Sequence, residues 1–329
     1  MMPLLDRTRH RHEIAAASDV DIPVLRAGLL AQEFCRRGAA ARVAAVFDRS
    51  FYLVSGATFV CVGTPAIGNG PLTLIADLGS VRRSALLPGQ PAAISEGYIA
   101  VGDDLRLSLA RCEPWQPPPW PAVTPPAAPI EVAVARRFAD AAPLEGLARA
   151  MFGTGPLARI AAPRLASFES WLSEALGRDD ALASAAPQAV SPLMGFGPGL
   201  TPSGDDFLSG ALALLDALAV RNVHAAMARA IADAAPALTS PLSACLLRAA
   251  CAGHIGERLH DAVSALVAAD VDAAVAAIRH IGHSSGWDML AGAATVLRIV
   301  ARRRSVPATP SAPAGDRLAR GRRSASHRP

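Results

Sequence analysis

Lysine is missing altogether: all 32 basic residues of this 329-residue chain are arginine. That excludes a lysine Schiff base and a Walker-type phosphate loop, whose lysine reaches the phosphates. Aromatic residues are scarce at 5%, with two Tyr and four Trp. The five cysteines (Cys35, Cys61, Cys112, Cys245, Cys251) form no CxxC pair and are odd in number, so reduced thiols are expected rather than a disulfide framework or a zinc knuckle. Long uninterrupted apolar runs are also lacking. Mean hydropathy is +0.29, but the uncharged stretches Ser50–Ala76 and Ala181–Gly204 are broken by Gly, Pro or Ser and do not read as membrane spans. The N-terminal stretch Met1–Glu13 is charged with no apolar segment behind it, which predicts a cytoplasmic address.

The formal net charge of +4 is misleading as a whole-chain number. Residues 302–329 hold eight Arg and one Asp, a net of +7, which leaves −3 on residues 1–301. The basic character therefore belongs to a Pro/Ala/Ser-rich tail that cannot bury a core. It carries no aromatic residue to stack on bases, so neither a nucleic-acid nor a membrane partner is expected.

What is present divides the chain. Val43–Phe47, Phe51–Val54, Thr58–Val62, Leu72–Ile75, Tyr98–Val101 and Leu105–Leu109 are short, apolar and β-branched or aromatic, with Gly, Pro and Asn between them. Gly68-Asn69-Gly70-Pro71 marks a tight turn, and Gly102-Asp103-Asp104 a hairpin. Val24–Cys35 reads as a helix ahead of them. The pattern predicts an α+β protein: a small β-rich barrel or sandwich over residues 1–113, a linker over 114–129 with eight prolines, an all-helical domain over 130–301, and a disordered Arg-rich tail over 302–329.

Chemistry concentrates in Gly195-Phe196-Gly197-Pro198-Gly199-Leu200-Thr201-Pro202-Ser203-Gly204-Asp205-Asp206, which opens into an apolar helix from Phe207 to about Val220. Glycines let backbone N–H groups turn inward, and a helix N-terminus adds partial positive charge, so the stretch predicts an anion site. Ser285-Gly286-Trp287-Asp288-Met289-Leu290-Ala291-Gly292-Ala293 repeats Ser203–Ala211 at an offset of 82, with six of nine positions identical. Gly210 and Gly292 then share one helical position, where small residues let two helices cross closely. Such a crossing brings the amides at Ser203–Asp205 and Ser285–Trp287 around one pocket. Ser203, Ser285, Asp206 and Asp288 occur in both copies, which fits helix capping. Asp205 has Trp287 in its place, which points to a general base, a metal ligand or an acceptor for a substrate amide. Between the copies, Thr239 or Ser240 caps a helix with Pro241 in its first turn, and the hydroxyls of Thr239 and Ser243 are candidates to line the same cleft. His280 and His283 stand at HxxH spacing without a third ligand, so His283 is read as a hydrogen-bonding group at the helix mouth rather than a zinc ligand.

The stretch from Gly195 to Gly292, with its GxGPGLTPSGDD loop, the TS-x-x-S helix start and GHSSGWDxLAG, resembles the AllH-type family. That family is named after a subunit of oxamate carbamoyltransferase in anaerobic allantoin degradation, a part of purine catabolism. The β-rich half resembles it more loosely. The resemblance implies phosphorolysis of oxalurate to oxamate and carbamoyl phosphate in a complex with partner subunits. It carries over Gly197, Gly199, Thr201, Ser203, Asp205, Asp206, Thr239, Ser243, His283, Ser284 and Ser285. Among these, Asp205, Asp206 and His283 are the catalytic candidates. The others, with the amides of Gly204 and Gly286, are candidates to hold oxalurate, oxamate, phosphate or carbamoyl phosphate. Two further classes fit the same residues: a non-catalytic metabolite-binding or scaffold subunit, and a phosphate-processing hydrolase with Asp205 and Asp206 on Mg²⁺. No cofactor is firmly expected, and Mg²⁺ is the one candidate.

Overall fold

A computed structural model describes residues 21–38, 40–80, 86–95, 97–103, 105–122, 131–143, 145–151, 157–176 and 182–305. The charged N-terminal stretch, the second half of the proline-rich linker and the basic tail beyond 305 lie outside the described residues. The fold is α+β: an eight-stranded barrel followed by a helical domain.

The barrel strands are β1 (Asp21–Gly28), β2 (Ala40–Val46), β3 (Ser50–Ser55), β4 (Thr58–Gly63), β5 (Thr73–Ala76), β6 (Pro91–Ser95), β7 (Tyr98–Val101) and β8 (Leu105–Ser108). They run in the order β5-β4-β3-β2-β6-β7-β8-β1, and the ring closes where β1 pairs antiparallel with β5. Closure removes the free edges of the sheet. Alternation along the strands sends Phe51, Leu53, Val60, Val62, Leu74, Ile99 and Leu107 into the interior, all at 0–1% exposure. A ninth strand, β9 (Glu113–Trp115), lies parallel to β1. The first residues of the proline-rich stretch thus belong to the sheet. Trp120 follows, donating from Nε1 to Asp216 at 2.8 Å and stacking on His260.

The helix expected over Val24–Cys35 is overturned in its first part. Residues 24–28 finish β1, and the helix α1 begins only at Leu29 and ends at Arg37. Three partner strands claim this segment, with Asp21–Pro23 on β8, Arg26–Gly28 on β9 and Val24–Ala27 on β5. Ladder pairing with three neighbours outweighs the weak local helix propensity of VLRAG.

The helical part comprises α2 (Glu131–Ala141), α3 (Leu147–Ala150), α4 (Ala158–Ala175), α5 (Leu182–Val190), α6 (Ser203–Ala217), α7 (Arg221–Leu238), α8 (Pro241–Cys251), α9 (Glu257–Val267), α10 (Val271–Ile278) and α11 (Ser285–Ser305). Arg302 and Arg303, expected to belong to a disordered tail, continue α11. The helices α6 and α11 are the central pair, and they cross where the repeat predicts. A Cβ on Gly210 would overlap the Met289 carbonyl oxygen, and one on Gly292 would overlap the Phe207 carbonyl oxygen. The two backbones are in direct contact at that point.

Gly292→Ala gains helix propensity of about 1 kcal/mol yet forces two backbones apart. A net destabilisation of about 1–3 kcal/mol is expected in urea unfolding. A neutral or stabilising result would show that the crossing yields easily.

Candidate functional site

The loop before α6 takes backbone angles that glycine tolerates and other residues avoid. Gly197 and Gly199 have φ of +112° and +99°. The amides of Gly197, Gly199, Leu200, Thr201 and Ser203 make no hydrogen bond among the described residues. In the second copy the same holds for Ser284, Ser285 and Trp287. Orphan donors are ordinary in a first helical turn. Here two such turns meet, since Thr201 Oγ1 and Ser285 Oγ lie 3.1 Å apart in a hydrogen bond.

The expected capping boxes do not form. The residue before α6 is Pro202, with no side-chain cap, and Ser203 is already the first helical residue. The duplicated Ser and Asp side chains instead cross between the copies. The Ser285 hydroxyl faces Asp206 of α6, and the Ser203 hydroxyl faces Asp288 of α11. The close approach at Gly210 and Gly292 makes these exchanges reachable.

Asp206 is 3% exposed, and its Oδ2 has no hydrogen-bond partner. Burial raises its pKa well above the ordinary carboxylate range. The Ser285 and Thr201 hydroxyls draw it back, while the charges of Asp288 and Asp205 push it further up. Asp206 is therefore a neutral acid, able to donate. Asp288 is fully buried; its Oδ1 accepts from the Ala148 amide at 3.0 Å, and its Oδ2 takes no well-aligned bond. Burial pushes its carboxyl up to about 6, against the pull of the Ser203 hydroxyl and the amides of Ala148 and Leu147. One of this pair ionises near pH 6 and the other keeps its proton, the separation that assigns distinct roles to paired carboxyls.

Asp205 turns another way. At 1% exposure it accepts three hydrogen bonds: Oδ1 from the Gly195 amide at 2.9 Å, and Oδ2 from the hydroxyls of Ser243, at 2.7 Å, and Thr239. The side chain thus pins the start of the glycine loop to the start of α8. Ser240 caps α8 by accepting from the Ser243 amide, and it donates to the Leu200 carbonyl at 2.6 Å. Thr239 was the other capping candidate. Its hydroxyl goes to Asp205 instead.

His283 stands apart, 83% exposed, with Nε2 3.8 Å from Glu145 Oε2. Among the arginines flanking the site, Arg248 donates to the Ala57 carbonyl and Arg298 pairs with Glu169. Adjacent positions on α6 send Asp205 and Asp206 to different partners, so these two carboxyls do not face one point as a Mg²⁺ pair would. Among the described residues no three His, Cys, Asp or Glu side chains gather as a metal site. The residue underrated from sequence is Asp288. The offset of 82 pairs it with Asp206, and that duplication was the available signal.

Family models match the chain in two places. Residues 193–297 match the family described as oxamate carbamoyltransferase subunit AllH. Residues 17–114 match the AllH family N-terminal domain. Searches of curated proteins and of solved structures returned no match. Among the described residues no helix is long and apolar enough to cross a membrane.

Proposed function

Because the chain belongs to the AllH family, with both of the family's parts present, we propose that it is a carbamoyltransferase subunit that binds a small anion where α6 and α11 meet. The observation that carries this reading is Asp206: buried, neutral, with Oδ2 unpartnered, beside two helix starts whose amides are free. An ionised carboxylate there would repel an anion, whereas a protonated one donates to it.

In the reaction the family name suggests, a phosphate oxygen bonds to the carbamoyl carbon of oxalurate. The bond from that carbon to the oxamate nitrogen breaks, and the nitrogen takes a proton. The loop amides from Gly197 to Gly204, and those of Ser284 to Gly286, hold phosphate and carboxylate oxygens, with the Thr201 and Ser285 hydroxyls between them. Asp206 delivers the proton to the departing nitrogen. Asp205, with Thr239 and Ser243, holds the loop in shape for the anion. His283 stands at the rim with Glu145 and is the outermost of the candidate catalytic groups. The subunit designation in the family name supports a complex with partner chains.

Asp206→Asn keeps size and burial but cannot serve as the acid. Turnover by the complex is expected to fall about 10²–10⁴-fold, with phosphate and oxamate affinity within a few-fold of wild type by calorimetry. Turnover within threefold of wild type would remove the catalytic role. The fully committed hydrogen bonds of Asp205 favour one second reading, a metabolite-binding subunit whose chemistry happens in a partner. That reading requires Asp206→Asn to bind anion and leave turnover intact.

A further inference from the structure

Resting on that anion site, we propose that Tyr52 completes it from the barrel side, its phenol O–H donating to the bound anion beside Asp206. The barrel holds the clue in its parity. On β3, Phe51 and Leu53 face the interior, so Tyr52 projects from the outer wall. The ladder sets Tyr52 opposite Cys61 on β4 and Cys61 opposite Thr73 on β5, which makes one outward row. The helix α8 lies across this wall: Cys245 Sγ accepts from the Phe59 amide at 3.4 Å, and Arg248 donates to the Ala57 carbonyl at 2.9 Å. Two residues before Cys245, Ser243 holds Asp205, the neighbour of Asp206. A short chain of contacts therefore runs from the outer barrel wall to the acid.

The phenol itself senses Asp206. Burial first, then Cys61, Asp206 and Cys245, hold Tyr52 well above its usual pKa, and burial pushes the Cys61 thiol up to about 11. Both groups stay protonated at neutral pH, so the wall brings donors and no negative charge to the anion. The Phe47 ring meets Tyr52 edge-on at 6.0 Å and fixes the plane of its ring. The only other tyrosine, Tyr98, lies under the Arg106 guanidinium on β7.

Two tyrosines make the test direct. With ¹³C at the tyrosine Cζ, the full chain gives two resonances, and Tyr98→Phe assigns them. Inorganic phosphate, and separately oxamate, should shift the Tyr52 resonance along the same saturation curve as the heat of binding. Tyr52→Phe should weaken binding about tenfold, the loss of one hydrogen bond to a charged group. Asp206→Asn should move the Tyr52 resonance with no anion added. Saturable heat with a stationary Tyr52 resonance and unchanged affinity in Tyr52→Phe would overturn the role of Tyr52 and leave the anion site standing. No heat from the wild-type chain with either anion would remove the anion site, and the role of Tyr52 with it. A Tyr52 resonance unmoved by Asp206→Asn would refute their adjacency whatever binds.

Discussion

Asp205→Ala is expected to destabilise the chain by about 3–5 kcal/mol, the largest effect of any single side chain at the site. Three donors lose their acceptor at once: the Gly195 amide and the hydroxyls of Thr239 and Ser243. Ser243 is 2% exposed and Asp205 itself 1%, so water has little access to the gap. Each buried donor left alone costs about 1–3 kcal/mol, and partial relaxation keeps the total below the sum. Asp205→Asn separates shape from charge. Its carbonyl oxygen can still take the Gly195 amide, and its NH₂ can donate to either hydroxyl, since a hydroxyl both gives and accepts. The amide variant should therefore recover all but about 1 kcal/mol. Urea unfolding of both variants checks this. Equal losses for Ala and Asn would mean that the negative charge, not the bonded geometry, holds the loop to α8.

The same side chain shows where sequence reading stops. The loop and its repeat were legible because glycine, proline and a constant offset leave marks in the chain itself. The crossing at Gly210 and Gly292 followed from that offset. Which of two adjacent aspartates would face the pocket was not legible. Neighbouring helix positions point about 100° apart, and the choice depends on where Thr239 and Ser285 lie, 34 and 79 positions further along. The absence of a counterpart made Asp205 look like the chemical group. Its role in the structure is to join the loop to α8, while the duplicated Asp206 is left with a free oxygen.

Barrel strands were legible for a related reason. Alternation survives wherever one face of a strand is buried, as along Phe51–Leu53 and Val60–Val62. The β1 segment hid because three partners, not its own residues, decide its form. Tyr52 hid more deeply: its contact with Asp206 spans 154 positions, and an aromatic on an outer barrel face carries no local sign of what covers it.

Asp288→Asn should change how stability depends on pH. The Asp288 carboxyl is raised from 3.8 to about 6 in the folded chain. Between those values the folded state binds more protons than the unfolded state, so stability falls as pH rises from about 4 to 6 and this contribution is level outside that window. The difference corresponds to roughly 3 kcal/mol, fully present as a penalty at neutral pH. Asparagine cannot ionise, and its carbonyl oxygen can keep the Ala148 amide. The variant should therefore gain on wild type across pH 4–6, by roughly 3 kcal/mol in urea midpoints measured at both ends. A gap between variant and wild type that stays constant with pH would show that Asp288 does not titrate in that range. The substitution also removes the charge that faces Asp206. With that charge gone, phosphate should bind more tightly at neutral pH. The same variant would thus be both more stable and a better anion binder, which ties the burial of Asp288 to the site it supports.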